Sequence, residues 1–185
     1  MKFLIIQFTF LLVSFTPVDL QPIFRQVSNE YSVSYELLSK MADIESNFRP
    51  NAKASTSSAK GLYQIINSTE NWLREICDIE GDIFDPLTNT RLGACLIQHN
   101  TKYFRRKMKR EPNFTELYIL HFYGGYTGLK FIRLVKSKGS DLAYKHFRRE
   151  SRANPNIFFK RARKPRKLIE VMELFRNKVR NGRVL

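Results

Sequence analysis

Apolar residues return along this chain at steps of three and four, and almost nowhere at steps of two. Val33, Leu37, Met41, Ile44 and Phe48 trace one such stripe, which predicts a helix that Pro50 brings to a stop. Leu92, Leu96, His99 and Tyr103 trace a second, longer helix with one inward stripe. Leu129 to Lys138 forms a third that ends at Gly139, Ser140 starts a short one, and Leu168, Met172, Phe175 and Val179 stripe the last. Polar punctuation supports the same division. Asn67 with Glu70 reads as a capping box ahead of Trp72 and Leu73. Asp85 followed by Pro86 reads as an N-cap with proline at the first helical position. Asn113 with Glu116 opens a helix that stops at Gly124-Gly125. The expected fold class is therefore mainly α, as a single compact helical domain.

The chain has 185 residues, within the range of one domain, and shows neither an internal repeat nor a low-complexity linker. Its opening differs from the rest. Lys2 precedes an apolar run from Phe3 to Phe15, which reads as a secretory signal and is short for a membrane span. Phe15, Pro17 and Leu20 interfere with a small-residue cleavage site, so residues 1–22 are either a signal peptide or an uncleaved membrane anchor through residues 3–18. Residues 23–185 form the domain. Both alternatives export the chain to the periplasm or cell envelope.

Export gives the two cysteines two readings. Cys77 and Cys95 form an even count in an oxidising compartment, where a bridge is conceivable, but both lie on helix-like patterns where free buried cysteines are common. No Cys or His spacing suggests a metal site, and no cofactor is expected. His99, His121 and His146 are scattered, without a nucleophile-His-Asp order.

Charge divides the chain in two. Residues 1–101 carry 8 Lys/Arg and 11 Asp/Glu, and residues 102–185 carry 24 and 6, so the second half supplies the whole net charge of +15. Such a field attracts polyanions such as cell-wall polymers, anionic lipid surfaces or nucleic acid. The bland reading is a set of cations that merely solvate helices. Tyr103, Phe104 and Phe147 sit among the basic residues, but no nucleic-acid-binding motif is present and none is expected as a partner.

Candidate chemistry concentrates between residues 45 and 66. Leu38, Met41, Ala42 and Glu45 share a strip, so one carboxylate closes an apolar helix face. Partial desolvation there favours the protonated form, which a general acid needs in order to protonate a departing glycosidic oxygen. Asp43 points elsewhere and is expected to be solvated. A run of Ser55, Thr56, Ser57 and Ser58 follows, then Gly61, whose backbone permits close approach, and Gln64, an amide able to donate and accept. A helix-end Glu before an ordinary polar loop is the commoner meaning of each piece alone.

The segment Glu45-Ser46-x-Phe48-x-Pro50-x-Ala52, then Ser55, then Ala59-x-Gly61-Leu62-Tyr63-Gln64-Ile65, resembles the signature of the lysozyme-like soluble lytic transglycosylases. Asp85-Pro86 with Asn89 and Gly93, Leu120-His121-Phe122-Tyr123-Gly124-Gly125 and Ala153-Asn154-Pro155-Asn156-Ile157-Phe158 follow in order, so the likeness covers roughly residues 30 to 180. The wording Thr56-Ser57-Ser58-Ala59 is similar to phage- and virion-associated members, for which a virion location is the alternative. The resemblance implies a lysozyme-like fold with at most a small strand element. It implies Glu45 as the sole catalytic acid and base, with Ser55, Tyr63, Gln64, His121 and Tyr123 on the saccharide cleft. His121 stands where many relatives carry Tyr, and a core-facing histidine is its other reading. The activity implied is lytic cleavage of peptidoglycan strands at the N-acetylmuramic acid–N-acetylglucosamine bond, with 1,6-anhydromuramoyl ends. The alternatives are a hydrolytic muramidase on the same fold, or a non-catalytic basic protein that binds wall or nucleic acid.

Overall fold

The computed structural model describes residues 20–185, so the expected leader, and any anchoring through residues 3–18, lie outside the described residues. The first element is one the periodicity does not announce. α1 (Gln21–Tyr31) carries proline in its first turn and buries Phe24 and Val27. Leu20, just ahead of it, is fully buried in the core, so the folded unit begins before the expected boundary at residue 23.

α2 (Tyr35–Ser46) starts where Ser34 Oγ accepts from the backbone N–H of Leu37 at 3.4 Å. Leu37, Leu38, Met41 and Ala42 are buried along it. The helix ends four residues before Pro50. Asn47 (φ 54°) and Phe48 (φ 59°) both turn into the left-handed region, which returns the Phe48 ring to the core at 3% exposure. Pro50 has no N–H to bond the Ser46 carbonyl, and the core position of the Phe48 ring fixes the turn that follows the helix.

α3 (Asn67–Cys77) follows the loop. The expected capping box is not formed: Ile66 is the N-cap, and Glu70 is drawn instead to Arg74 at 2.9 Å and Lys60 at 3.3 Å. α4 (Pro86–Met108) begins as expected, with Asp85 Oδ2 accepting from the Thr88 N–H at 2.7 Å. It is the spine of the molecule, touching α1, α2 and α3. A disulfide joins Cys77 at the end of α3 to Cys95 on α4, deciding between the two readings of the cysteines.

α5 (Phe114–Tyr123) opens with a complete Asn113–Glu116 capping box and stops at Gly124. α6 (Gly125–Lys138) starts at once, four residues earlier than its apolar stripe suggests. Three short helices follow, α7 (Ala143–His146), α8 (Arg148–Ala153) and α9 (Pro155–Phe158), with no start at Ser140. A 3-10 turn (Arg161–Arg163) leads to α10 (Leu168–Asn181), which buries Leu168, Val171, Met172, Phe175 and Val179. The second half of the core is aromatic. Tyr123 packs within 6.4 Å, ring centre to ring centre, of Phe122, Phe131, Phe147, Phe158 and Phe175.

Extended pairing among the described residues is limited to isolated bridges, two of which (Lys53 with Lys60, and Lys60 with Ile65) fold the loop between α2 and α3. The protein is mainly α, as expected. No helix among the described residues is long and apolar enough to cross a membrane.

Candidate active site

An open cleft of about 720 Å³ runs between the end of α2, the loop before α3, the middle of α4 and the α5–α6 junction. Glu45 projects into it from the last turn of α2, with its side chain only 16% exposed. The turn beyond is held tightly. Ser46, itself buried, donates through Oγ to the Ala42 carbonyl at 2.9 Å and accepts from the Arg49 N–H at 3.2 Å. Among the described residues Glu45 is the only acidic side chain on the cleft wall. Asp43 is not the solvated group expected from sequence. Its carboxylate accepts from Arg183 Nε at 2.9 Å, on the far side of α2.

α5 supplies the groups that face Glu45. His121 Nε2 lies 3.8 Å from Glu45 Oε1, inside ion-pair range and beyond a hydrogen bond. The imidazole is 8% exposed, and its Nδ1 has no hydrogen-bond partner among the described residues. Tyr118, one turn earlier, was not singled out by the sequence. Burial first, then the charge and hydrogen bonding of Glu45, push its phenol well above the ordinary range. It therefore stays a proton donor beside the carboxylate. Its signal was present as an aromatic three residues before His121 on a helix, a spacing that puts both on one face.

The opposite wall is built by the loop, and here two expectations are corrected. Tyr63 does not line the cleft. It is fully buried, its hydroxyl donates to the Leu38 carbonyl at 3.1 Å, and burial raises its phenol far above the usual range. Its ring rests on Gly93, where a Cβ would stand 2.6 Å from a ring carbon. Ser55 is exposed and off the cleft wall, while Ser57, two residues on, is on it. The bridges at Lys53 and Lys60 turn the chain here, and within the turn Ser57 Oγ accepts from the Ala59 N–H at 3.3 Å.

Gln64 does line the cleft. Its Nε2 donates to the carbonyls of Gly61 at 2.9 Å and Ala52 at 3.2 Å, which turns the amide by its own loop and leaves Oε1 without a donor among the described residues. Gly61 (φ 77°) is required by crowding as well as by conformation, since a Cβ there would stand 2.1 Å from the Asn89 amide. Asn89 is the fastening. Its Oδ1 accepts from the Tyr63 N–H at 2.9 Å and its Nδ2 donates to the Ile83 carbonyl at 2.8 Å, which locks the loop to α4.

Tyr123 also lines the cleft, with its hydroxyl buried and without a partner among the described residues. Leu96, His99 and Tyr103 share this wall, so the stripe of α4 that was expected to point into the core points partly into the cleft. The His99 ring meets Trp72 edge-on, with centres 4.6 Å apart. Burial first, then the charges of Arg106 and Lys102, hold the His99 imidazole below its ordinary pKa, so it is neutral at neutral pH. Tyr126, 78% exposed, stands at the rim.

One half-buried carboxylate, a phenol and an imidazole against it, and a polar loop across from them form a site for acid–base chemistry on an extended polar substrate. The positions fastened most tightly, Gly61, Tyr63, Asn89 and Gly93, belong to the same ordered motifs that carry the resemblance. A family model described as Transglycosylase SLT domain matches residues 22–117, which spans α1 to α4 and the part of α5 that ends one residue before Tyr118. The chain belongs to the Transglycosylase SLT domain family of lysozyme-like, peptidoglycan-cleaving proteins.

Proposed function

We propose that this protein is a lytic transglycosylase that cuts the β-1,4 bond between N-acetylmuramic acid and N-acetylglucosamine and closes the muramoyl product as a 1,6-anhydro ring. The observation that carries the reading is that Glu45 is the single acidic side chain on the cleft wall among the described residues. Hydrolysis with retention or inversion uses two carboxylates about 5–10 Å apart, one of them to activate water or to attack. Here the acid works alone. Glu45 gives its proton to the bridging oxygen as the C1–O bond breaks. The C6 hydroxyl oxygen of the muramoyl ring then attacks C1 and returns its proton to the Glu45 carboxylate. No water enters the balance.

Tyr118 and His121 orient the carboxylate through both half-steps. Gln64 Oε1 accepts from a substrate amide N–H, since its own Nε2 is already committed to the loop. Ser57 takes the place on the wall first assigned to Ser55, and Tyr123 offers its unpartnered hydroxyl. The basic second half of the chain supports a reading in which the enzyme is held against an acidic wall, at the cell envelope or, if phage-encoded, in a virion.

The test is digestion of purified sacculi followed by mass spectrometry. Anhydromuramoyl ends are expected, and products heavier by one water would make the enzyme a muramidase. Glu45→Gln keeps size and hydrogen bonding but cannot deliver a proton, so it should lose at least about a hundredfold in rate, the usual scale for a general acid. Its melting temperature should stay close to that of the wild type. Activity within a few-fold of wild type would place the acid elsewhere.

A further inference from the structure

α10 ends at Asn181, and the residues after it do not leave the surface. They run back along α2. Tyr35 donates through its hydroxyl to the Leu185 carbonyl at 2.7 Å, and the buried Ser39 Oγ accepts from the Leu185 N–H at 2.9 Å. Asp43 accepts from the Arg183 N–H at 2.8 Å and from its Nε at 2.9 Å. The Arg183 guanidinium also donates to the Asn47 side chain and stands 5.2 Å over the Phe48 ring. Tyr35, Ser39, Asp43 and Asn47 are spaced by four, so they form one strip along the helix. Glu45, two residues beyond Asp43, lies on the opposite face, toward the cleft.

We propose that residues 182–185 are a strap that clamps the back of α2, and that Arg183 is a positioning residue for Glu45. The reason lies in what Arg183 touches. Asn47 and Phe48 are two successive non-glycine residues in the left-handed region, directly after the turn that presents Glu45. Backbone of that kind persists only where its surroundings hold it. Arg183 is bonded to the side chain of one, sits over the ring of the other, and is tied to Asp43 in the turn before them. Gly182 fits tightly at the crossing, since a Cβ there would stand 3.2 Å from Lys40 and 3.3 Å from Ile44. The strap lies outside the family match, which ends at residue 117, so this support comes from the part of the chain that the match leaves out. A general acid displaced by a fraction of an ångström loses rate before it loses substrate.

The catalytic half of this inference rests on the wall-cleaving reading, so the experiment has two arms. In the first, kcat and KM on sacculi are measured for Arg183→Ala and Arg183→Lys, well below each variant's melting temperature. Arg183→Ala should lower kcat roughly tenfold with KM within about twofold, the pattern of a lost alignment, and Arg183→Lys should recover part of the loss through its charge. An unchanged kcat, or a rise in KM alone, overturns the positioning role. The second arm needs no substrate. Hydrogen exchange at the Asn47 and Phe48 amides, which bond to the Asp43 and Ala42 carbonyls at 2.8 and 3.3 Å, should quicken in Arg183→Ala more than exchange in α4. Equal protection in the two proteins overturns the strap itself. A wild-type protein that leaves sacculi intact would sink the enzymatic reading and leave the exchange result to decide the strap.

Discussion

Tyr63 and Gln64 show how two adjacent residues of one motif part in the fold. Gln64 and Tyr63 adjoin in the same motif, and only the fold separates a cleft residue from a core one. No pattern at positions 61–65 distinguishes them, because the chain there is an irregular loop without a period. Gly93 sits inside α4, where alanine would ordinarily gain about 1 kcal/mol over glycine. Here its Cβ would meet the Tyr63 ring at 2.6 Å, and that ring is pinned by its hydroxyl to Leu38 on α2. Overpacking of this kind costs about 1–3 kcal/mol. Gly93→Ala should therefore destabilise the protein, and a chemical denaturation curve reads the sign. A neutral or stabilised variant would mean that the Tyr63 ring has room to move. Ser55 failed for a related reason: its register depended on counting from Glu45 across a turn whose two bridges are invisible in the sequence.

Among the elements, two of the three N-terminal caps read from the sequence are formed, and Glu116 keeps its box while also pairing with Arg110. Asp85 and Asn113 cap α4 and α5 as their positions suggest, whereas Glu70 left its box for Lys60 and Arg74. Of the helices of ten or more residues, α3 buries the fewest side chains. Leu73 is its one buried residue, yet it carries Thr69 and Trp72 to the cleft wall. The Cys77–Cys95 bridge closes a loop across a separation of 18 residues, and cross-links of that span are worth about 3 kcal/mol on the chain-entropy account. Cys77→Ala combined with Cys95→Ala should lose stability on that scale in guanidinium melts. In hydrogen exchange the amides of α3 should open before those of α5, whose capping box and buried face are unaffected. Loss of protection spread evenly over all helices would show that α3 is held by other means.

For the whole molecule, the helical class, the single domain and the charge division were readable because each is a sum over many residues. The pairing of Asp43 with Arg183 was not, since 140 positions separate the partners and each alone looks like a solvated charge. The same distinction between tied and free charges decides how the basic half can be tested. Arg105, Arg110 and Lys160 are engaged with Glu111, Glu116 and Glu170, and Arg166 donates to three backbone carbonyls, so removing them would change local contacts along with the field. Lys102 and Arg106 act on His99 in the cleft and would confuse binding with chemistry. Lys107, Lys109, Arg161 and Arg163 are exposed and make no ion pair among the described residues. Replacing these four with Gln should weaken retention on sacculi and flatten its dependence on salt, because attraction between exposed charges is screened over about 8 Å at physiological ionic strength. Cleavage of short soluble fragments should proceed at the wild-type rate, since a small substrate samples the cleft and little of the surrounding field. Co-sedimentation with sacculi across a salt series reads the first effect and fragment turnover the second. Retention that does not change at any salt concentration would show that these cations only solvate their helices.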